Sequence, residues 1–178
     1  LIEFEDSFYM MDQHAAHEKI LYERLMKQFH EKTYHSQMIM PPVILTLSLR
    51  EEQILKENWK TFTALGYEIE EFGGKEYKVT GLPAELPTVI DCKQLLIELI
   101  DTIADESATH DPERITEKVA SMSCKAAIKG GDSISRAEAE QLIDELLSLE
   151  NPYHCPHGRP TIISMSKYEI EKKFKRIV

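Results

Sequence analysis

Asp12-Gln13-His14-Ala15-Ala16-His17-Glu18, running on to Glu23, and Cys155-Pro156-His157-Gly158-Arg159-Pro160 lie near opposite ends of the chain. Each stretch concentrates side chains that bind metals. Neither makes chemical sense alone. If the fold joins them, they form a mixed nitrogen, oxygen and sulfur site with an arginine beside it, a combination that points to metal-assisted phosphoester chemistry. Residues between them then become an insertion. The architecture this implies is α+β in two lobes. A discontinuous lobe, residues 1–36 and 154–178, holds a mixed sheet plus helices and most of the metal site. An inserted lobe, residues 37–153, is mostly helical with a β-hairpin.

The local patterns fit that plan. Residues 1–11 read as a strand or hairpin ending in Phe8-Tyr9-Met10-Met11. Asp12 opens a helix to about Lys32, with Ile20, Leu21, Leu25 and Phe29 as its buried stripe. Residues 33–47, with Pro41-Pro42 and the run Val43 to Leu47, read as a connector leading into a strand. Ser48-Leu49-Arg50-Glu51 is a capping box for a helix that Gly66 closes. Gly73-Gly74 lies between two hairpin strands, 67–72 and 76–80. Three helices follow: Cys92 to Ala104 behind Asp91, one from Pro112 behind Asp111 to Gly130-Gly131, and one capped by Ser135 with Glu138. Thr161 to Met165 reads as a strand, and Ser166 with Glu169 caps a last helix running to the chain end.

Composition bounds the function. The 178 residues are 42% hydrophobic and 29% charged, ordinary for a globular protein able to bury a core. No apolar run approaches the roughly 20 residues of a membrane span. Three cysteines, an odd number with no secretory signal in view, suggest a reducing compartment and the cytoplasm rather than a disulfide framework. The opening Leu1 reads as the start of an excised fragment. A net charge of −10 opposes any reading in which this surface alone grips DNA, because phosphate binding favours basic proteins.

Chemistry concentrates in a few side chains. His14 and Glu18, four apart, lie about 40° apart on one helix face. Asp12, at the strand-to-helix corner, can turn toward the same place or cap the helix; both readings stand. Glu23 is about 140° round from Glu18 and reads as structural support. Cys155 and His157 alternate, so in an extended segment they face one side, and thiolate with imidazole favours zinc over magnesium. Arg159 offers a planar fork for phosphate, or a surface salt bridge beside a tight turn. On the helix from Pro112, Ile115, Val119, Met122 and Ala126 make the core stripe. Cys124 falls off it, able to face a cleft. Lys125 and Lys129, like charges four apart, suit either an anion or plain solvation. Cys92 reads as a packing residue, and His17, His30, His35, His110 and His154 have no partner pattern.

Together these residues resemble the C-terminal domain of the MutL mismatch-repair family, in its endonuclease-bearing branch. Asp12-Gln13-His14-Ala15, then Glu18 and Glu23, matches that branch's D-Q-H-A-x2-E-x4-E motif, and Ser123-Cys124-Lys125, Cys155 to Pro160 and Phe174-Lys175-Arg176 match further blocks in order. The resemblance spans essentially the whole chain. It implies a homodimer formed by the discontinuous lobe, nicking of one strand of double-stranded DNA, and zinc, manganese or both held by Asp12, His14, Glu18, Cys155 and His157. Asp12, His14 and Glu18 would be catalytic, with Glu23, Cys124, Lys125, Arg159 and Arg176 nearby. It also implies a mismatch-recognition protein and a sliding clamp as partners, and ATP bound only by an N-terminal half outside this chain. Relatives carry a clamp motif with glutamine ahead of Ile-x-Pro; here Ile39 and Pro41 fit it, but Gln37 stands one place late. Two other functions compete with the endonuclease: a non-catalytic dimerisation and recruitment module with a structural zinc, and, ranked last, a hydrolase of small phosphoesters.

Overall fold

A computed structural model describes residues 1–86, 91–106, 112–127 and 134–177. In chain order these form strands β1 (Ile2–Phe4) and β2 (Ser7–Met11), helix α1 (Gln13–Glu31), strand β3 (Ser36–Thr46), helices α2 (Leu49–Glu57) and α3 (Trp59–Ala64), strands β4 (Glu68–Gly73) and β5 (Glu76–Pro83), helices α4 (Cys92–Glu106), α5 (Pro112–Ala127) and α6 (Arg136–Leu147), strand β6 (Ile162–Ser166) and helix α7 (Lys167–Lys173). The class is α+β, as the sequence implied. Both sheets are antiparallel among the described residues, where a mixed sheet had been expected for the discontinuous lobe. β1-β2 and β4-β5 are hairpins, whereas β2-β6 and β3-β5 pair strands far apart in sequence.

Two compact units make up the chain, residues 1–20 with 129–178, and residues 21–128. These bounds differ from breaks at 36/37 and 153/154, and they assign α6 to the discontinuous unit.

In that first unit the strand order is β1-β2-β6. β6 joins the two chain ends: Met11 pairs with Ile162, Met10 with Ile163 and Phe8 with Met165. The Asp12 amide extends the pairing by donating to the Thr161 carbonyl at 2.9 Å. Ala16, Ile20, Leu142 and Leu146 form a buried cluster, against which Met11, Ile134, Leu149 and Ile162 pack. The capping boxes at Ser135–Glu138 and Ser166–Glu169 are both present. α7 stops at Lys173 rather than reaching the chain end. Lys175 turns to φ 55°, its amide bonds Lys172 and the Arg176 amide bonds Glu171 at 2.9 Å, a Schellman closure without glycine.

The second unit has the strand order β3-β5-β4 and a larger core that includes Leu25, Leu55, Phe62, Tyr77 and Leu99. The expected connector at 33–47 is mostly strand. β3 continues through Pro41-Pro42 because it pairs only with β5, so the missing donors fall where its register shifts between Met38 and Val43. The helix expected to run from Ser48 to Gly66 is two helices broken at Asn58 (φ −105°), whose side chain donates to the Ile54 carbonyl at 2.9 Å. Gly66 does end the second, and at φ 92° it packs so closely that a Cβ would meet the His35 carbonyl oxygen at 2.6 Å. Asp91 caps α4 by accepting from the Gln94 amide at 3.0 Å. The cap read at Asp111, the stop at Gly130-Gly131, and Lys129 of the like-charge pair, with His110, lie outside the described residues.

α5 corrects one expectation. Its buried face is Thr116, Val119, Ala120, Ser123 and Cys124, while Ile115, Met122 and Ala126 are only partly buried. Cys124 is therefore a fully buried core residue and not a cleft residue. Small side chains occupy the closest approach to neighbouring α3 and α4, and the larger Ile115 and Met122 flank it. Cys92 packs in the same core as expected, and burial pushes its thiol up to about 11.

Leu146→Ala would empty much of the four-residue cluster in the first unit. Urea unfolding should show a loss of about 2–5 kcal/mol at unchanged slope.

Candidate metal centre

Asp12 occupies the corner between β2 and α1. Its Oδ1 accepts from the Ala15 amide at 3.1 Å, so the carboxylate caps the helix. One turn later, His14 Nε2 approaches Glu18 Oε1 to 3.1 Å. Glu18 is fully buried, with Ala15 on the same side of α1, an expensive place for a carboxylate without compensation.

That compensation comes from the far end of the chain. Cys155 to Gly158 is a tight turn, not the extended segment anticipated: the Gly158 amide donates to the Cys155 carbonyl at 2.9 Å, and Gly158 takes φ 77°. The Cys155 amide donates to the Arg159 carbonyl at 2.9 Å, and His154 bridges Pro160. The buried Thr161 hydroxyl ties the segment down by donating to the Pro152 carbonyl. The turn, rather than strand alternation, brings Cys155 and His157 to one side. His157 Nδ1 then lies 3.4 Å from Glu18 Oε2, and Arg159 Nη2 donates to the same oxygen at 2.8 Å across 141 residues of sequence. The Glu18 charge, followed by a hydrogen bond with the Cys155 side chain, raises the Arg159 pKa above the ordinary guanidinium range.

Donor atoms of Glu18, Cys155 and His157 all lie within 4.8 Å of one another. Carboxylate, thiolate and imidazole form a zinc-type donor set. Glu18 Oε1 and His14 Nδ1 are buried without a hydrogen-bond partner. The 3.1 Å approach of His14 Nε2 to Oε1 is thus a close polar contact misaligned for a hydrogen bond. An unsatisfied buried carboxylate oxygen beside a thiol and an imidazole fits a divalent cation.

Not every expected residue joins this group. Asp12 and His14 fall outside the trio, although His14 touches Glu18. Arg176 is exposed beyond α7. Glu23, Cys124 and Lys125 belong to the second unit: Glu23 half-buried on α1, Cys124 in the core, Lys125 exposed on α5. Of the clamp-motif residues, Gln37 Nε2 donates to the carbonyls of Pro83 (3.0 Å), Ala84 (3.4 Å) and Leu86. Ile39 packs against the core, and Pro41, exposed, follows a cis peptide bond.

Sequence reasoning left the Glu18–Arg159 pair unassigned. A signal was present: Glu18 interrupts the apolar face of α1, and a buried acid requires a cation.

Such a donor set in a discontinuous α+β unit describes a class, a domain whose chain ends close on each other around side chains able to hold a metal. Comparison with known proteins narrows it. The family described as the MutL C terminal dimerisation domain matches residues 1–134, and the chain belongs to that family. It is 57% identical over 178 residues to the DNA mismatch repair protein MutL of Agathobacter rectalis, covering all of this chain and 27% of that protein. It is 38% identical over 177 residues to the MutL proteins of Clostridium perfringens and Caldanaerobacter subterraneus, covering 99% of this chain and 26% and 30% of theirs. The chain thus spans about a quarter of the length of these relatives.

Burial lowers the His17 imidazole below its ordinary 6.5, and neighbouring His14 adds to this against the opposing Gln13 backbone and Glu145. The folded state then binds fewer protons than the unfolded one, so this contribution is complete above pH 6.5 and falls away as pH drops through the folded value. Urea midpoints at about pH 7.5 and about pH 5 should differ less for His17→Gln than for wild type.

Proposed function

We propose that this chain is the dimerisation and endonuclease domain of a DNA mismatch-repair protein, nicking one strand of duplex DNA with a divalent cation. The observation that supports the reading is the buried Glu18–Cys155–His157 donor set with an unsatisfied Glu18 oxygen. When bound, the cation supplies Lewis acidity at the phosphodiester. Glu18, Cys155 and His157 would hold it, and His14 lies against Glu18 Oε1. Asp12, with Oδ1 committed to the helix cap, keeps Oδ2 to orient a water or receive its proton. A groove of about 430 Å³ lined by Met10, Met11, Asp12, Pro160, Thr161 and Ile163 borders this corner.

Self-association is the second half of the proposal. The register puts Phe8, Met10, Ile163 and Met165 on one face of the sheet, opposite the face whose Met11 and Ile162 pack on the helical cluster. Phe8 and Ile163 remain 39% and 50% exposed there. An apolar sheet face of this kind suits a second copy, and the matched family is described as a dimerisation domain. The net charge of −10 assigns most of the DNA grip to other parts of the full-length protein. The odd number of cysteines and the bacterial relatives favour a place in the bacterial cytoplasm. Among the described residues no helix is long and apolar enough to cross a membrane.

A non-catalytic module with a structural zinc is the competing reading. It draws on the commitment of Asp12 to helix capping.

Manganese-dependent nicking of supercoiled plasmid by the full-length protein separates the two. Glu18→Lys and Asp12→Asn should each reduce nicking by about 10²-fold or more while dimerisation persists. Normal nicking by both variants sinks the endonuclease, and a chelation-sensitive melting temperature with no nicking supports the structural zinc. For the interface, Phe8→Glu with Ile163→Glu should convert the dimer to monomer in sedimentation equilibrium at micromolar concentration.

A further inference from the structure

Arg159 stands in an unusual position for a group whose task is only to hold substrate. Its Nη2 donates to Glu18 Oε2 at 2.8 Å, and the Cys155 thiol beside it contributes to holding the guanidinium charged. One of the three clustered ligands is therefore already engaged by a cation. The third, His157, approaches the same Glu18 oxygen at 3.4 Å. A carboxylate that is 0% exposed needs a counter-charge in every state of the protein, since losing one partner of a buried pair is strongly destabilising. A divalent ion drawn in by Glu18, Cys155 and His157 would compete with the guanidinium for the Glu18 carboxylate. Arg159 is also free to leave. Its side chain is 49% exposed, against 0% for Glu18, so the head group can swing into solvent without unpacking the core.

We propose that Arg159 is a displaceable counter-ion: it neutralises Glu18 and occupies the Cys155–Glu18 edge of the donor set until a divalent cation replaces it. The released guanidinium then presents its fork beside the cation, where an anionic phosphodiester oxygen is its natural partner. The inference rests on the metal-site reading above and adds an order of events, with phosphate capture by Arg159 following cation loading.

The test measures stability and metal binding, not turnover. Thermal melts of wild type, Arg159→Gln and Arg159→Lys, each metal-stripped and zinc-saturated, are compared with zinc affinity from competition against a chromophoric chelator. In the stripped protein Arg159→Gln should melt several degrees below wild type, with Arg159→Lys between them, because Lys restores charge without the fork. Zinc saturation should abolish most of that deficit. By linkage, zinc should bind Arg159→Gln about 5- to 150-fold more tightly than wild type. Equal deficits with and without zinc, or unchanged or weaker zinc binding by the variant, overturn the proposal while leaving the metal site intact. A wild-type melting temperature that zinc does not move overturns both. Should Arg159→Gln fail to fold when stripped yet fold with zinc, displacement is supported; failure in both states is the equal-deficit outcome.

Discussion

Pairing of β2 with β6 is the constraint on which the functional end of this molecule depends. Five residue pairs, Ser7–Ser166 to Met11–Ile162, hold segments from the two chain ends in register. The Asp12–Thr161 bond then sets the start of α1 directly against the segment that follows the Cys155 turn. A slip by one residue would exchange the two faces of β6, moving Ile162 off the helical cluster and Ile163 onto it. The donors on α1 and on the turn would then no longer meet. Closing so long a loop is entropically unfavourable, though the penalty grows only slowly with length. The Ala16–Ile20–Leu142–Leu146 cluster supplies burial that holds the sheet against its helices.

Once the ends are joined, Glu18 dominates the electrostatics. A carboxylate moved out of water costs several kcal/mol even after relaxation, more than a single surface ion pair returns. Three nitrogen groups converge on it: His14 on one oxygen, His157 and Arg159 on the other. Such a cluster is a poor way to stabilise a fold, because apolar residues of the same volume would serve as well. It is a good way to keep a negative charge dry and aimed. A buried acid amid the apolar face of a helix is a local rule broken, and such violations gather at functional sites.

Much of this was legible from residue pattern alone. Caps at Asp12, Ser48, Asp91, Ser135 and Ser166 follow from side chains that accept amide bonds within one helical turn. Such signals are local, so sequence carries them. What was lost required tertiary information. Pro41-Pro42 argues against strand unless the segment is known to lie at a sheet edge. α5 was read one residue out of phase because Ile and Met outrank Thr, Ser and Cys as core markers, whereas close helix packing selects the small residues. For Cys155 and His157, alternation predicted their common side, but a turn closed at Gly158 produces it. The structural partners of Gln37, read only as a displaced clamp-motif residue, could not be foreseen, since its acceptors at Pro83, Ala84 and Leu86 belong to a distant backbone.

The acidity of the chain and the chemistry of its site are less opposed than net charge suggests. A field summed to −10 repels a polyanion at long range but is screened beyond about 10 Å at ordinary salt. Within the site, what a phosphodiester meets is set by the groups in contact with it. On the proposed reading the buried Glu18 charge would favour binding there, because a divalent cation held by Glu18, Cys155 and His157 would reverse the local sign. Arg159 places a single positive charge against the same carboxylate. An acidic shell with a cationic centre would then discriminate by order, the surface disfavouring a polyanion until the site carries its ion.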